Sequence, residues 1–71
     1  SLTIVRERHL ACLNNAARAL ERFATNAQAH STLDILAFEL EIAAKSLGEI
    51  VGAEVDMEVL DRIFSDFCLG K

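Results

Sequence analysis

Residues 31–52 read STLDILAFELEIAAKSLGEIVG, and this stretch decides the fold. Its apolar residues recur every three or four positions, which predicts an α-helix over about residues 32–51. They form two stripes, one with Leu33, Leu36, Leu40, Ala43 and Leu47 and the other with Ile35, Phe38 and Ile42. A helix that is apolar around most of its circumference is buried between several neighbours. We therefore expect this helix to contact more than one partner.

Polar and glycine residues mark the two ends of this predicted helix. Ser31, with Asp34 three positions later, has the form of an N-terminal capping box. Gly52 is the expected stop, because glycine readily adopts the left-handed conformation that follows a helix. Gly48 is either an earlier stop or a point where another helix approaches closely.

A first helix is predicted over about residues 3–29. Its small and large apolar residues recur at alternating steps of three and four, which places them on one stripe. We expect this stripe to be the packing surface of the helix, and it comprises Leu10, Leu13, Ala17, Leu20, Ala24 and Ala27.

A third helix is predicted over about residues 56–68. Asp56 is a suitable N-cap, and Val55 before it is placed to pack on Leu60 as a hydrophobic staple. The predicted core face contains Leu60, Ile63, Phe64 and Phe67. The sequence thus predicts an all-α protein with three helices that form part of a larger helical bundle domain.

Composition supports the idea of a larger assembly. The chain has 71 residues, of which 52% are hydrophobic, and its mean hydropathy is +0.27. A chain of this size hides only about 60% of its unfolded surface. We therefore expect the isolated chain to self-associate, or to pack against other parts of a longer protein.

The charge and hydropathy patterns restrict the class of protein. A net charge of −4 argues against an independent nucleic-acid-binding module, because such modules carry a basic face. The first helix nevertheless carries a weak basic strip with Arg6, Arg8, Arg18 and Arg22. This strip is either a solvated face, which we favour, or an auxiliary RNA contact. No signal peptide and no uncharged apolar run of about 20 residues is visible, so we expect no membrane association.

The last eight residues, 64–71, contain the chemically distinctive side chains. Cys68 is a candidate nucleophile or redox thiol, although the negative end of a helix disfavours a thiolate. Lys71 is a candidate anion-binding group. Cys12 is expected to be a small buried hydrophobic residue. His9 is either a phosphate contact or, as we favour, an ordinary surface residue, and His30 is expected at the surface in a loop. The spacing of these cysteines and histidines does not match a structural zinc site, and the sequence contains no Gly-rich phosphate-binding motif.

Three stretches together carry a resemblance to a known family. They are Arg6-Glu7-Arg8-His9, residues 47–52 (LGEIVG) and residues 61–71 (DRIFSDFCLGK). With them the chain resembles the C-terminal end of the MnmE (TrmE) family of tRNA modification GTPases, whose members end in Phe-Cys-Ile-Gly-Lys or a close variant. Leu69 in place of isoleucine is the one departure within that ending.

The resemblance implies a specific place for this chain within a longer protein. Residues 1–71 would form the part of the helical domain that follows an inserted GTPase domain. The family's GTP, Mg²⁺ and K⁺ would be bound by that inserted domain, and by resemblance Cys68 would act in the modification step while Lys71 would contact a formyl-tetrahydrofolate.

The resemblance also implies partners. Family members form homodimers and work with the FAD-dependent protein MnmG to install an aminomethyl-type group on C5 of the wobble uridine of tRNA. It further implies a cytoplasmic protein, or a mitochondrial one in a eukaryote. Two alternatives remain open: a small all-α interaction or oligomerisation module without catalytic context, and a thiol-redox site at Cys68.

Overall fold

The computed structural model describes residues 2–52 and 56–69, and the side chains of all of them except Phe64, Phe67, Cys68 and Leu69. These residues form three α-helices: α1 (Leu2–Gln28), α2 (Leu33–Val51) and α3 (Met57–Leu69). The described residues contain no β-strand. The predicted all-α class is confirmed, and each helix boundary lies within one residue of its predicted position.

The ends of α2 confirm one prediction and correct another. The N-cap is Thr32, with an extended backbone (φ −68°, ψ 157°), and not Ser31. Asp34 forms a hydrogen bond with the Thr32 side chain, and this bond lowers the pKa of the Asp34 carboxyl group. The partner of Asp34 at the start of the helix is thus Thr32 and not the predicted Ser31. At the other end Gly52 adopts a left-handed conformation (φ 72°), and its N–H donates to the Gly48 carbonyl oxygen. The prediction that α2 ends at Gly52 is therefore confirmed.

Helix α3 begins as predicted but is less buried than predicted. The Asp56 carboxylate oxygen Oδ1 accepts hydrogen bonds from the backbone amides of Glu58 (3.0 Å) and Val59 (3.2 Å), which is N-cap geometry. Leu60 is partly buried, whereas Ile63 is exposed. Val55, the predicted staple residue, lies outside the described residues, as do the side chains of Phe64 and Phe67.

Helices α1 and α2 pack side by side in opposite directions. Arg22 of α1 bonds to Glu39 of α2, and Cys12, ten residues earlier on α1, bonds to Glu49, ten residues later on α2. Between these two contacts lies a small core of Ala16, Ala19 and Ala43, with Ile42 packed against it. Alanine side chains at the contact line allow the two helix axes to come close together.

The packing surface predicted for α1 is wrong by one residue. The buried row contains Ala16 and Ala19, whereas Leu10, Leu13 and Leu20 of the predicted row are 59%, 50% and 45% exposed. The predicted row follows the buried row by one position, which corresponds to a rotation of about 100° around the helix axis. Small residues take the line of closest approach, and the leucines are left on one side of it.

The three helices form a single layer. Within the described residues α3 contacts α2 and makes no contact with α1. The Cα extents of the chain are 49 × 25 × 11 Å, and the smallest of these is close to the diameter of one helix with its side chains, about 10–12 Å. The radius of gyration is 13.9 Å, against about 11 Å for a compact chain of this length. Both sides of the layer are therefore open.

The two open sides differ in chemistry. Because α1 and α2 face each other and run in opposite directions, the rows that follow the contact rows by one residue lie on the same side of the layer. We call this side the leucine face; its exposed leucines are Leu10, Leu13, Leu20, Leu33 and Leu47. The rows that precede the contact rows lie on the opposite side, which we call the cationic face; its cations are Arg8, Arg18, Arg22 and Lys45.

Candidate functional site

The structure places one of the two predicted site residues. Cys68 lies in the last turn of α3, next to the terminal residue Leu69, while its side chain lies outside the described part. Lys71 also lies outside the described residues. The roles of Cys68 and Lys71 thus stay predictions, and the structure informs them only through the position of α3.

Two carboxyl groups lie close together where α3 contacts α2. A hydrogen bond with Asp61 of α3, together with burial and the Asp61 charge, raises the pKa of Glu41 on α2. Glu39 and Glu41, two residues apart, face different helices, as their spacing predicts. Glu41 is directed towards α3, the helix that carries Cys68.

Cys12 is not the simple buried hydrophobic residue that we predicted. It is partly buried, and its Sγ donates a hydrogen bond to Glu49 Oε2 over 3.3 Å. Burial, followed by the hydrogen bond to Glu49 and the Glu49 charge, raises the pKa of the Cys12 thiol, and Arg8 opposes this only in part. Cys12 is therefore held in its thiol form, which is the unreactive form.

A shallow cavity of about 70 Å³ opens beside this thiol. Its lining residues are Val5, Arg8, His9, Cys12 and Glu49. His9 is partly exposed and lines this cavity, while the predicted surface position is confirmed for His30, which is exposed in the turn after α1 with φ 58°. Across residues 2–52 and 56–69, no group of three or more His, Cys, Asp or Glu side chains is arranged to hold a metal ion.

Sequence reasoning missed an ion pair between α1 and α2. Arg22 Nε donates to both carboxylate oxygens of Glu39, over 2.9 and 3.0 Å. The Glu39 side chain is 9% exposed and that of Arg22 is 49% exposed, so a nearly buried carboxylate is satisfied by a half-exposed guanidinium. One signal was available in the sequence: Glu39 lies four residues before Ala43, on the row of α2 that packs against α1.

Comparison with known proteins identifies relatives over the whole chain. The family model described as "MnmE helical domain" matches residues 1–68. No solved structure matches the chain. In the described part of the chain, no helix is long and apolar enough to cross a membrane.

Curated relatives named "tRNA modification GTPase MnmE" are similar to nearly all of this chain. The relative from Natranaerobius thermophilus is 39% identical over 70 residues, and the one from Chlorobium chlorochromatii is 41% identical over 71 residues. These alignments cover 99% and 100% of this chain and 15% of each relative. A relative from Chloroflexus aurantiacus is 45% identical over 64 residues, covering 90% of this chain and 14% of the relative. The chain therefore spans about 15% of the length of the curated relatives that it matches.

The ion pair leads to a prediction about stability. Replacing Arg22→Met keeps much of the packing but leaves the Glu39 carboxylate nearly buried without its partner, and we expect a loss of about 2 kcal/mol in the free energy of unfolding. The measurement is urea denaturation followed by circular dichroism. Arg18→Met, an exposed arginine one turn earlier on the same helix, is the control and should change stability by less than about 0.5 kcal/mol. Equal effects of the two substitutions would contradict a structural role for the ion pair.

The Glu41–Asp61 contact leads to a prediction about pH. The pKa of Glu41 in the folded chain is raised above its ordinary value of 4.5, so the folded state binds the proton more tightly than the unfolded state does. This contribution to stability is present at low pH and is lost as the pH rises through the raised pKa.

Asp61→Asn should reduce that loss, because the Asp61 charge no longer favours a protonated Glu41, while the effect of burial remains. The measurement is the free energy of unfolding across the acidic pH range, compared between wild type and variant. Asp66→Asn, an exposed carboxylate on the same helix, is the matched control. If the free energies of unfolding of wild type and Asp61→Asn differed by the same amount at every pH, the proposed contact would be contradicted.

Proposed function

The chain belongs to the MnmE helical domain family, and from this premise we propose that it forms part of the helical domain of a tRNA modification GTPase. The observation that carries the proposal is the match over residues 1–68, together with curated relatives that bear that name. The sequence contains no phosphate-binding loop. In this proposal GTP, Mg²⁺ and K⁺ are therefore bound by another domain of the same protein, and this segment alone is inactive.

We further propose that residues 1–71 are the part of the helical domain that follows an inserted GTPase domain. The open single layer supports this, because an exposed row of leucines is normally covered by another surface. The remaining helices of the domain are the expected cover for the leucine face. In this arrangement the layer is one wall of a bundle that other segments of the polypeptide complete.

The proposed chemical contribution of the segment comes from its C-terminal end. Helix α3 places Cys68 in its last turn, and Lys71 follows three residues later in the sequence. By resemblance Cys68 takes part in the modification step, and the Lys71 ammonium contacts formyl-tetrahydrofolate bound to another domain. An ammonium group on a long side chain is suited to an anionic ligand of this kind.

The proposal includes the family's partners. With the FAD-dependent protein MnmG, the whole protein would install an aminomethyl-type group on C5 of the wobble uridine of tRNA, in the cytoplasm, as a homodimer. The alternative is an all-α interaction module with no catalytic context. The family match over residues 1–68 favours the first proposal, because an independent module would have no reason to share it.

The test of this proposal is Cys68→Ser in the full-length protein. We expect the substitution to abolish tRNA modification and to leave GTP hydrolysis within about twofold of wild type, since the nucleotide is bound elsewhere. The measurements are nucleoside analysis of modified tRNA and phosphate release from GTP. Cys12→Ser is the matched control and should retain both activities. Equal loss of both activities in Cys68→Ser would indicate a structural role and would contradict the proposal.

The open leucine face also leads to a prediction for the isolated chain. We expect it to self-associate, and Leu13→Lys combined with Leu20→Lys should weaken this association at least about tenfold, because each buried leucine contributes about 1.5–3 kcal/mol. The measurement is sedimentation equilibrium over a range of concentrations. Ala11→Lys combined with Asn15→Lys makes the same charge change on the exposed opposite side of α1. A monomeric wild-type chain at high concentration would contradict the prediction.

A further inference from the structure

The cationic face holds more positive charge than the fold uses, since among the described residues Arg22 is the one cation of this face that forms an ion pair. Four of the seven Lys and Arg residues of the chain lie on it: Arg8, Arg18, Arg22 and Lys45. Its carboxylates are Glu39, which is nearly buried and bonded to Arg22, and Glu49, which accepts a hydrogen bond from the Cys12 thiol. A chain with a net charge of −4 thus presents one side on which cations outnumber carboxylates.

Arg18 and Arg22 make this arrangement costly in the free protein. They lie four residues apart on α1, where like charges repel by about 0.2–0.5 kcal/mol. Arg22 is balanced by Glu39, whereas Arg18 and Lys45 form no ion pair within the part of the chain that the structure describes. An anion bound on this face would relieve the repulsion.

Arg22 is oriented in a way that favours such a ligand. It bonds to Glu39 through Nε alone, and among the described residues its two terminal nitrogens have no hydrogen-bond partner. The side chain is half-exposed. A guanidinium fixed at Nε presents its terminal N–H groups in a defined direction, which reduces the conformational entropy lost on binding a phosphate.

From these observations we propose that the cationic face binds the sugar-phosphate backbone of RNA, with Arg18, Arg22 and Lys45 contacting phosphates. This rests on the proposed function, in which tRNA is the substrate. The arginines extend along α1 from Arg8 to Arg22, about 21 Å at 1.5 Å per residue, and so match an extended polyanion better than a single small anion. Phe38, 58% exposed on the same face, adds a ring on which a base can stack.

The test uses the full-length protein and tRNA. Arg18→Ala combined with Lys45→Ala should weaken tRNA binding about tenfold near 0.1 M salt and make the slope of log K against log salt shallower by about one to two units, because phosphate contacts are lost. GTP hydrolysis without tRNA should stay unchanged. Arg22 is left intact because its ion pair also stabilises the fold.

Arg6→Ala combined with Arg62→Ala is the matched control. It removes two exposed cations outside the cationic face, and tRNA affinity should stay within about twofold of wild type. Equal effects of the two double variants would overturn the proposal, because net charge alone would then explain the loss.

Two other outcomes separate this proposal from the proposed function. Unchanged tRNA affinity and salt slope in Arg18→Ala/Lys45→Ala, with normal tRNA binding by the wild type, would overturn only the RNA contact. Unchanged tRNA affinity in this variant, together with weaker binding of a protein partner, would also overturn the RNA contact and would identify an acidic protein surface as the occupant. A wild-type protein that binds no tRNA would overturn both proposals.

Discussion

The ion pair between Arg22 and Glu39 fixes how α1 and α2 face each other, and the other features of the layer depend on that rotation. Alanine side chains are small, so a contact line of alanines allows the two helices to pack in more than one rotation about their axes. The nearly buried Glu39 carboxylate has one partner among the described residues, Arg22. The two helices therefore favour the rotation that brings Arg22 and Glu39 together. In some proteins a buried ionic group selects one packing arrangement in this way.

With the rotation fixed, the chemistry of each side of the layer follows from the sequence. Each row of side chains on α1 and α2 is one residue away from the next, so one rotational setting assigns leucines to one side and arginines to the other. The two sides suit different neighbours: an apolar protein surface on one, and a polyanion on the other. The layer therefore has two chemically different faces. Helix α3, which carries Cys68, packs against α2 at one edge of the layer.

Local features were predictable from the sequence, and the choice of packing row was not. Gly52 and Asp56 act on their own backbone neighbours, so their roles can be inferred from the residues beside them. The packing row of α1 depends on what lies across from it. The spacing of the leucines predicts a packing surface on α1, but alanines occupy the closest approach of the two helices, and the leucines are exposed on one side of it. The role of Glu39 is equally hard to predict from the residues beside it, because its partner is 17 residues away in sequence.

The candidate site shows the same division. Cys68 and Lys71 were found through a family resemblance in the last residues, which geometry within this segment neither requires nor explains.

The alanine core has a thermodynamic consequence as well. No large side chain among the described residues is fully buried, so unfolding the layer alone exposes little new apolar surface, and the heat capacity change of the isolated segment should be small for its length. In the proposed bundle, most of the heat capacity change of the domain would then come from covering the leucine face, and the temperature dependence of the domain's stability would be set by its assembly.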